Sequence, residues 1–301
     1  MPCPSIVNAK YNIDHTDKHP NNPLVVARAE QKNIADELLT RRDWDAPIEK
    51  KSGLTSKKLL SSVFKGIRED SESVDLVTIS EKVLRVPGSM EHTVLPEGTR
   101  FTSFKAIRVR GDGRRYLVMF WDTESYTGAP DFGASIIAIF PEGSPEPLDI
   151  ANVRSADYCS LGKILSLGPV DAFTIDNSHS NSSQSYLYTD LFHIHDGRLQ
   201  RIASVPMLSV QAGCENSFDE TLTWRTELLD AGSPYLKIVA TVTLIKRPGD
   251  YERDSGNCPK SKKSWRKEVF WETYRWNNVK KRYVGPIKPF ERLKRFNEKN
   301  F

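Results

Sequence analysis

Three of the six histidines, His179, His193 and His195, fall within 17 consecutive positions. His193 and His195 are two apart in a stretch that reads as a strand, so their rings project to one face. Two imidazoles placed in this way can offer two nitrogens to one metal ion. His179, with Asp190 or Asp196, would complete a shell of nitrogen and oxygen donors of the kind zinc accepts in tetrahedral sites. The residues call for no other cofactor. The competing reading, a solvated strand face beside a hairpin turn, is the more common use of such a pair.

Two further groups are candidates to hold a ligand. Asp176, Asn177, His179, Asn181 and Gln184 offer donors and acceptors without bulk in a segment, 176–184, that reads as a polar loop. Loops on a rigid β scaffold often carry function. The same side chains also satisfy backbone groups within turns, and that use is preferred. Farther on, a strand is expected over Trp265–Trp276. Phe270, Tyr274 and Trp276 share one of its faces, interleaved with Glu268 and Glu272, while Val269 and Trp271 share the other. Rings beside carboxylates suit a sugar-stacking platform. They equally suit the cross-strand aromatic pairs of an ordinary sheet, which is the preferred reading.

Charge adds a third possibility. The chain holds 43 Lys+Arg against 39 Asp+Glu, a net +4. Residues 246–301 alone hold 17 basic and 7 acidic side chains, or +10, which leaves −6 on the remainder. Such asymmetry steers binding toward anionic surfaces, and aromatic residues among the cations suit single-stranded nucleic acid. No nucleic-acid motif accompanies them and lysine is common on exposed edge strands, so nucleic acid is disfavoured. No Gly-x-Ser-x-Gly elbow, Walker loop or dinucleotide fingerprint occurs. Carboxylate pairs in a chain with 39 acids do not single out a glycosidase. Mean hydropathy is −0.49, and no apolar run approaches the roughly 20 residues of a membrane-spanning helix. A soluble chain is expected.

The elements that must position these residues follow from periodicity. Residues 1–23, with prolines at 2, 4, 20 and 23, read as an extended leader. A helical segment over 24–72 follows. Its first helix runs to about Arg42, and its second is capped by Thr55 or Ser56 and striped by Leu59, Leu60, Val63, Phe64 and Ile67. From about residue 75 the period becomes 2. Gly111-Asp112-Gly113 and Asp196-Gly197 mark hairpins. Apolar residues on both faces of Tyr116–Trp121 make that strand central. A β domain is expected over 73–286, with a basic, helical tail over 287–301. The fold class is mainly β, α+β overall: an antiparallel sandwich or open barrel of meander hairpins with an N-terminal two-helix segment.

Four cysteines occur, at 3, 159, 214 and 258, with no Cys-x-x-Cys pair. Strands over about 220–228 and 235–246 bring Cys214 roughly opposite residue 249, so a Cys214–Cys258 bridge fits the hairpin. It would favour an oxidising compartment. The alternative is two free buried thiols. No signal peptide is visible after Met1. The expectation is cytoplasmic if Met1 is the native start, and periplasmic or secreted if it is not.

Several stretches carry a family resemblance: Leu117-Val118-Met119-Phe120-Trp121-Asp122, Asn181-Ser182-Ser183-Gln184-Ser185-Tyr186 after Asn177, Asp196-Gly197-Arg198-Leu199, and Tyr274-Arg275-Trp276-Asn277 with Arg282-Tyr283-Val284. Together they resemble bacterial β-rich proteins of unknown function, often exported. The resemblance spans over half the chain, implies a β fold and an outward location, and transfers no activity. The His-x-His pair is also similar to cupin metal sites, but Gly197-Arg198-Leu199-Gln200 stands where their glutamate is expected. The leading expectation is a non-enzymatic β-rich binding or interaction protein for a small molecule, glycan or protein. One alternative is a metal-dependent hydrolase-like enzyme using His179, His193 and His195. The other is a basic accessory protein for an anionic polymer.

Overall fold

A computed structural model describes residues 44–49, 52–69, 74–76, 82–95, 99–124, 134–180, 184–212, 216–229, 233–248 and 266–300. The expected leader, the first helix, Asn181, Cys3, Cys214 and Cys258 lie outside these residues. Two sheets dominate the rest.

The first sheet is built from β3 (Ile67–Glu69), β4 (Val74–Leu76), β5 (Lys82–Arg85), β6 (His92–Leu95), β7 (Arg100–Gly111), β8 (Arg114–Glu124), β9 (Ser135–Pro141) and β10 (Asp149–Asn152). A small pair, β1 (Pro47–Glu49) and β2 (Leu54–Thr55), precedes it. Its order is β3-β4-β7-β8-β9-β10-β5-β6. The centre is a meander. The β5–β6 hairpin closes the far edge through a parallel contact, Ala151 against Arg85, in an otherwise antiparallel arrangement. Arg85 fixes that edge by donating from Nε to Asp149 at 3.0 Å.

The second sheet is a meander throughout: β11 (Tyr158–Ser166), β12 (Asp171–Ser180), β13 (Gln184–His195), β14 (Arg198–Ala212), β15 (Asn216–Leu228), β16 (Leu236–Pro248), β17 (Arg266–Asn277) and β18 (Arg282–Val284). The antiparallel, mainly β expectation is borne out.

Helix α1 (Ser56–Val63) buries Leu59, Leu60 and Val63 against the first sheet. Thr55 caps it, accepting from the Lys58 N–H at 3.1 Å. The indole N–H of Trp121 donates to Ser56 beneath it at 3.1 Å. The helix stops short of the expected Ile67: Phe64 turns extended, Gly66 sits at φ 72°, and Ile67 opens β3. Phe64 is nevertheless buried, so the apolar stripe is spent on packing rather than on further helix.

Alternation along β8 produces two cores. Leu117, Met119 and Trp121 face α1, while Tyr116, Val118 and Phe120 face the second sheet and meet Phe173, Ile175, Phe192 and Ile194. This is the central strand covered on both sides that the sequence leads one to expect. A third core lies on the other face of the second sheet, which folds over on itself. The turn before β16 docks on the β11–β12 turn (Leu236 N–H to Leu167 C=O, 3.1 Å), and Tyr283 of β18 donates to the Leu236 carbonyl at 2.9 Å. Helix α2 (Glu291–Asn300) covers this core with Leu293, and Phe290 just before it is also buried. Phe290 and Leu293 therefore anchor the end of the basic segment on the domain, while Ile287 stays exposed.

Candidate functional site

Each sheet contributes one Asp-Gly hairpin tip, and the two tips meet. Asp112 and Gly113 lie at φ 49° and 71°, Asp196 and Gly197 at 50° and 68°. Both are the left-handed pairs that tight hairpins require. The approach is close: a Cβ on Gly111 would stand 2.9 Å from the Ile194 carbonyl. The Asp112 carboxylate joins the tips. One oxygen accepts the Asp196 N–H at 2.5 Å, and the other meets His195 Nδ1 at 2.8 Å.

That contact sets the imidazole chemistry. An ionised carboxylate only accepts, so Nδ1 of His195 carries the proton. The other nitrogen, Nε2, stands 3.6 Å from the Asp196 carboxylate, so in the neutral ring its lone pair faces that side chain. A carboxylate holding the far nitrogen of an imidazole is the usual support of a metal-ligating histidine. Asp112, His195 and Asp196 bring one ligand atom each within 4.8 Å of one another. The Asp196 side chain is 86% exposed and that of His195 only 16%, so the group sits at a rim.

Behind it the rim is aromatic. His193 lies nearly parallel to His195, with ring centroids 6.3 Å apart. Its Nδ1 is buried with no hydrogen-bond partner. Burial, with His195 adjacent, pulls its pKa down to about 4, so the ring is neutral. Trp276 sets an edge against both imidazoles, at 6.2 and 5.8 Å, and Tyr283 packs on His193 at 5.7 Å. Tyr235 stacks on Trp276 at 4.1 Å. Burial raises the pKa of both phenols, which stay protonated.

The alternation argument thus holds for His193 and His195, but His179 does not join them. In the β12–β13 pair, Ala172 faces His193 and Tyr186 faces His179. The two histidines stand seven register positions apart, about 23 Å along the strand. Residues equidistant from a hairpin turn face each other, and His179 is near the turn while His193 is at its far end. His179 instead contacts the Asp157 carboxylate and stacks on Tyr186. Asp190 is excluded by parity with His193 and lies on the opposite face, 3.8 Å from Arg201. Its pKa is raised by burial.

The polar loop expected over 176–184 is a continuation of β12 through Ser180. Asn177 is fully buried. Its Oδ1 accepts the Ser155 N–H at 2.7 Å, and its Nδ2 donates to the Val153 carbonyl at 3.1 Å. It pins the crossover between the sheets and, being fully buried, is closed to a ligand. Gln184 begins β13 and accepts from the Tyr186 hydroxyl. Asp176 accepts from Thr189 at 2.6 Å.

Phe270, Tyr274 and Trp276 share a face as expected, but that face is the third core, where each is buried. They cannot form an open sugar platform. The opposite face of β17 carries exposed Val269 and Trp271. Cys159 is a free, buried thiol whose pKa burial pushes up to about 12.

Asp112 was visible in the sequence only as a turn residue. The signal available was two Asp-Gly turns at strand ends, but 83 residues separate Asp112 from His195 and only sheet packing unites them. Comparison of the chain with protein-family models, with curated proteins and with solved structures finds no match.

Proposed function

We propose that this chain is a non-enzymatic β-rich binding protein that takes a divalent transition-metal ion, zinc in the first instance, where its two Asp-Gly hairpins meet. The observation that carries the reading is the Asp112–His195–Asp196 relay. Asp112 fixes the imidazole so that Nε2 and an Asp196 oxygen lie 3.6 Å apart. That gap suits an ion with Zn–N and Zn–O distances of about 2 Å. Mixed nitrogen and oxygen donors favour zinc over calcium or magnesium, which prefer oxygen alone. His193, neutral and unpartnered at Nδ1, lies beside this pair with its ring centroid 6.3 Å from that of His195. The rim behind the imidazoles is indole and protonated phenols, which offer no nucleophile or base near neutral pH, and the basic groups of the junction, Asp112, His195 and Asp196, are the ones this reading commits to the ion.

Calorimetric titration of untagged protein with zinc tests this. One ion per chain is expected, with His195→Ala abolishing binding and Asp196→Asn weakening it roughly tenfold. Binding that persists unchanged in His195→Ala, or no heat at micromolar zinc, overturns the reading.

A further inference from the structure

The outer face of β15–β17 presents a second surface, independent of the hairpin junction. Register places Thr223, Thr241 and Trp271 in one row across the three strands. Residues directly opposite share a face, so the indole borders a strip of hydroxyls. Trp271 is 65% exposed and Val269 beside it 46%. Tryptophan carries a large apolar payload and is seldom left this open in a sheet. The other rings of β17 are turned inward, which makes Trp271 a deliberate exception to the strand's packing.

Charge selects what this face takes. Lys267 and Arg275 are exposed four positions to either side of Trp271 on the same strand, about 13 Å away in each direction. Neither forms an ion pair with a carboxylate among the described residues. Glu227, on the same face, is engaged by Lys237 at 2.7 Å and Arg225 at 3.4 Å. Asp219 also lies on this face, in one row with Ile245 and Lys267, so among the described side chains the strip sets four cations (Arg225, Lys237, Lys267 and Arg275) against two carboxylates (Asp219 and Glu227) around one exposed ring and a row of hydroxyls.

A second copy of the chain is a poor occupant. A two-fold pairing of this face would set Lys267 and Arg275 of one copy against those of the other. Single-stranded nucleic acid needs a succession of rings for successive bases, and this face offers one.

We infer that the outer face of β15–β17 docks a uronate-bearing polysaccharide. A pyranose ring stacks on Trp271, neighbouring hydroxyls meet Thr223 and Thr241, and carboxylates along the polymer pair with Lys267 and Arg275. The guanidinium fork suits a carboxylate in particular. The sugar platform thus lies on the face of β17 opposite the one that periodicity nominated.

Titration of the full chain with an oligogalacturonate of defined length tests this, with a neutral dextran fragment and an oligothymidylate alongside. Binding is expected for oligogalacturonate alone, weakening as salt rises. Trp271→Ala should lower affinity at least about tenfold, with Trp271→Phe restoring most of it. Lys267→Ala with Arg275→Ala should flatten the salt dependence. Thermal unfolding should be unchanged in all of these, because the side chains are exposed. His195→Ala should bind the polymer normally, which separates this outcome from that of the metal titration. The inference is overturned by absence of oligogalacturonate binding at low salt, by equal affinity in Trp271→Ala, or by tighter binding of oligothymidylate. It is overturned too by a self-association that Trp271→Ala abolishes.

Discussion

Two buried titratable side chains of the third core pull stability in opposite directions. Glu220 has its pKa raised from 4.5 to about 7, chiefly by burial. One of its oxygens accepts the Leu208 N–H at 2.9 Å, and the other is buried without a partner. The folded chain therefore holds a proton on Glu220 that the unfolded chain has released, and stability falls as pH rises from 4.5 to about 7. His193 does the reverse. Its pKa falls from 6.5 to about 4, so stability is lost as pH drops through that window. Each contribution amounts to at most about 3 kcal/mol. Between pH 4.5 and 6.5 the two slopes largely cancel. Asp176 and Asp190, also raised by burial, tilt the balance in the same direction as Glu220. Urea unfolding across this range should show the parts. Glu220→Gln should become steadily more stable with rising pH than the parent, and His193→Phe steadily less. Parallel profiles for parent and variants would contradict this account.

Among the elements, the two hairpin tips are the pieces whose fit decides the candidate site. Gly111 is needed for close approach, because a methyl there meets the Ile194 carbonyl at 2.9 Å and the Tyr116 ring at 3.1 Å. Gly113 is needed for its φ of 71° and has open space around it. The two glycines therefore separate packing from conformation. Gly111→Ala should destabilise by about 1–3 kcal/mol and weaken zinc binding together, since it pushes Asp112 away from His195. Gly113→Ala should cost about 1–2 kcal/mol of backbone strain with zinc affinity largely kept. Equal zinc affinity in Gly111→Ala would show that tip spacing does not govern the site. Helix α2 has a comparable role at the other end of the third core. Phe296 packs on Phe270 with ring centroids 6.0 Å apart, and Glu272 accepts the Phe290 N–H at 3.1 Å.

At the scale of the whole molecule, three cores are stacked through two sheets. The joint between the sheets is polar as well as apolar: Arg110 of β7 donates to Asp171 of β12 through both its backbone N–H (2.9 Å) and its guanidinium (2.6 Å). The compartment in which this assembly works has a direct test. If the expected Cys214–Cys258 bridge forms, as an oxidising compartment would favour, mass spectrometry without reductant should find the two cysteines two hydrogens short. Two free thiols would argue for a reducing compartment. Cys159, buried and with a raised pKa, should resist alkylation until unfolding.

Local patterning made much of the fold legible. Alternation marked β8 as doubly covered and put His193 with His195, because side-chain parity along a strand is set by the backbone alone. The Asp-Gly pairs marked both hairpins, because left-handed dihedrals demand such residues. Periodicity did not say which face of β17 is inside, since both faces carry aromatic residues, nor that β12 extends through the polar residues up to Ser180. Asn177 looked ligand-like because its donors and acceptors are the same whether a buried crossover or a solute uses them. What the chain determined by itself is parity and turn chemistry, both local properties of a few neighbouring residues. What only the tertiary structure decided is which distant pieces share space. Asp112 reaches His195, His179 is carried away from it, and Trp271 is left in solvent, because the packing of sheet on sheet and of α2 beneath depends on every core residue at once.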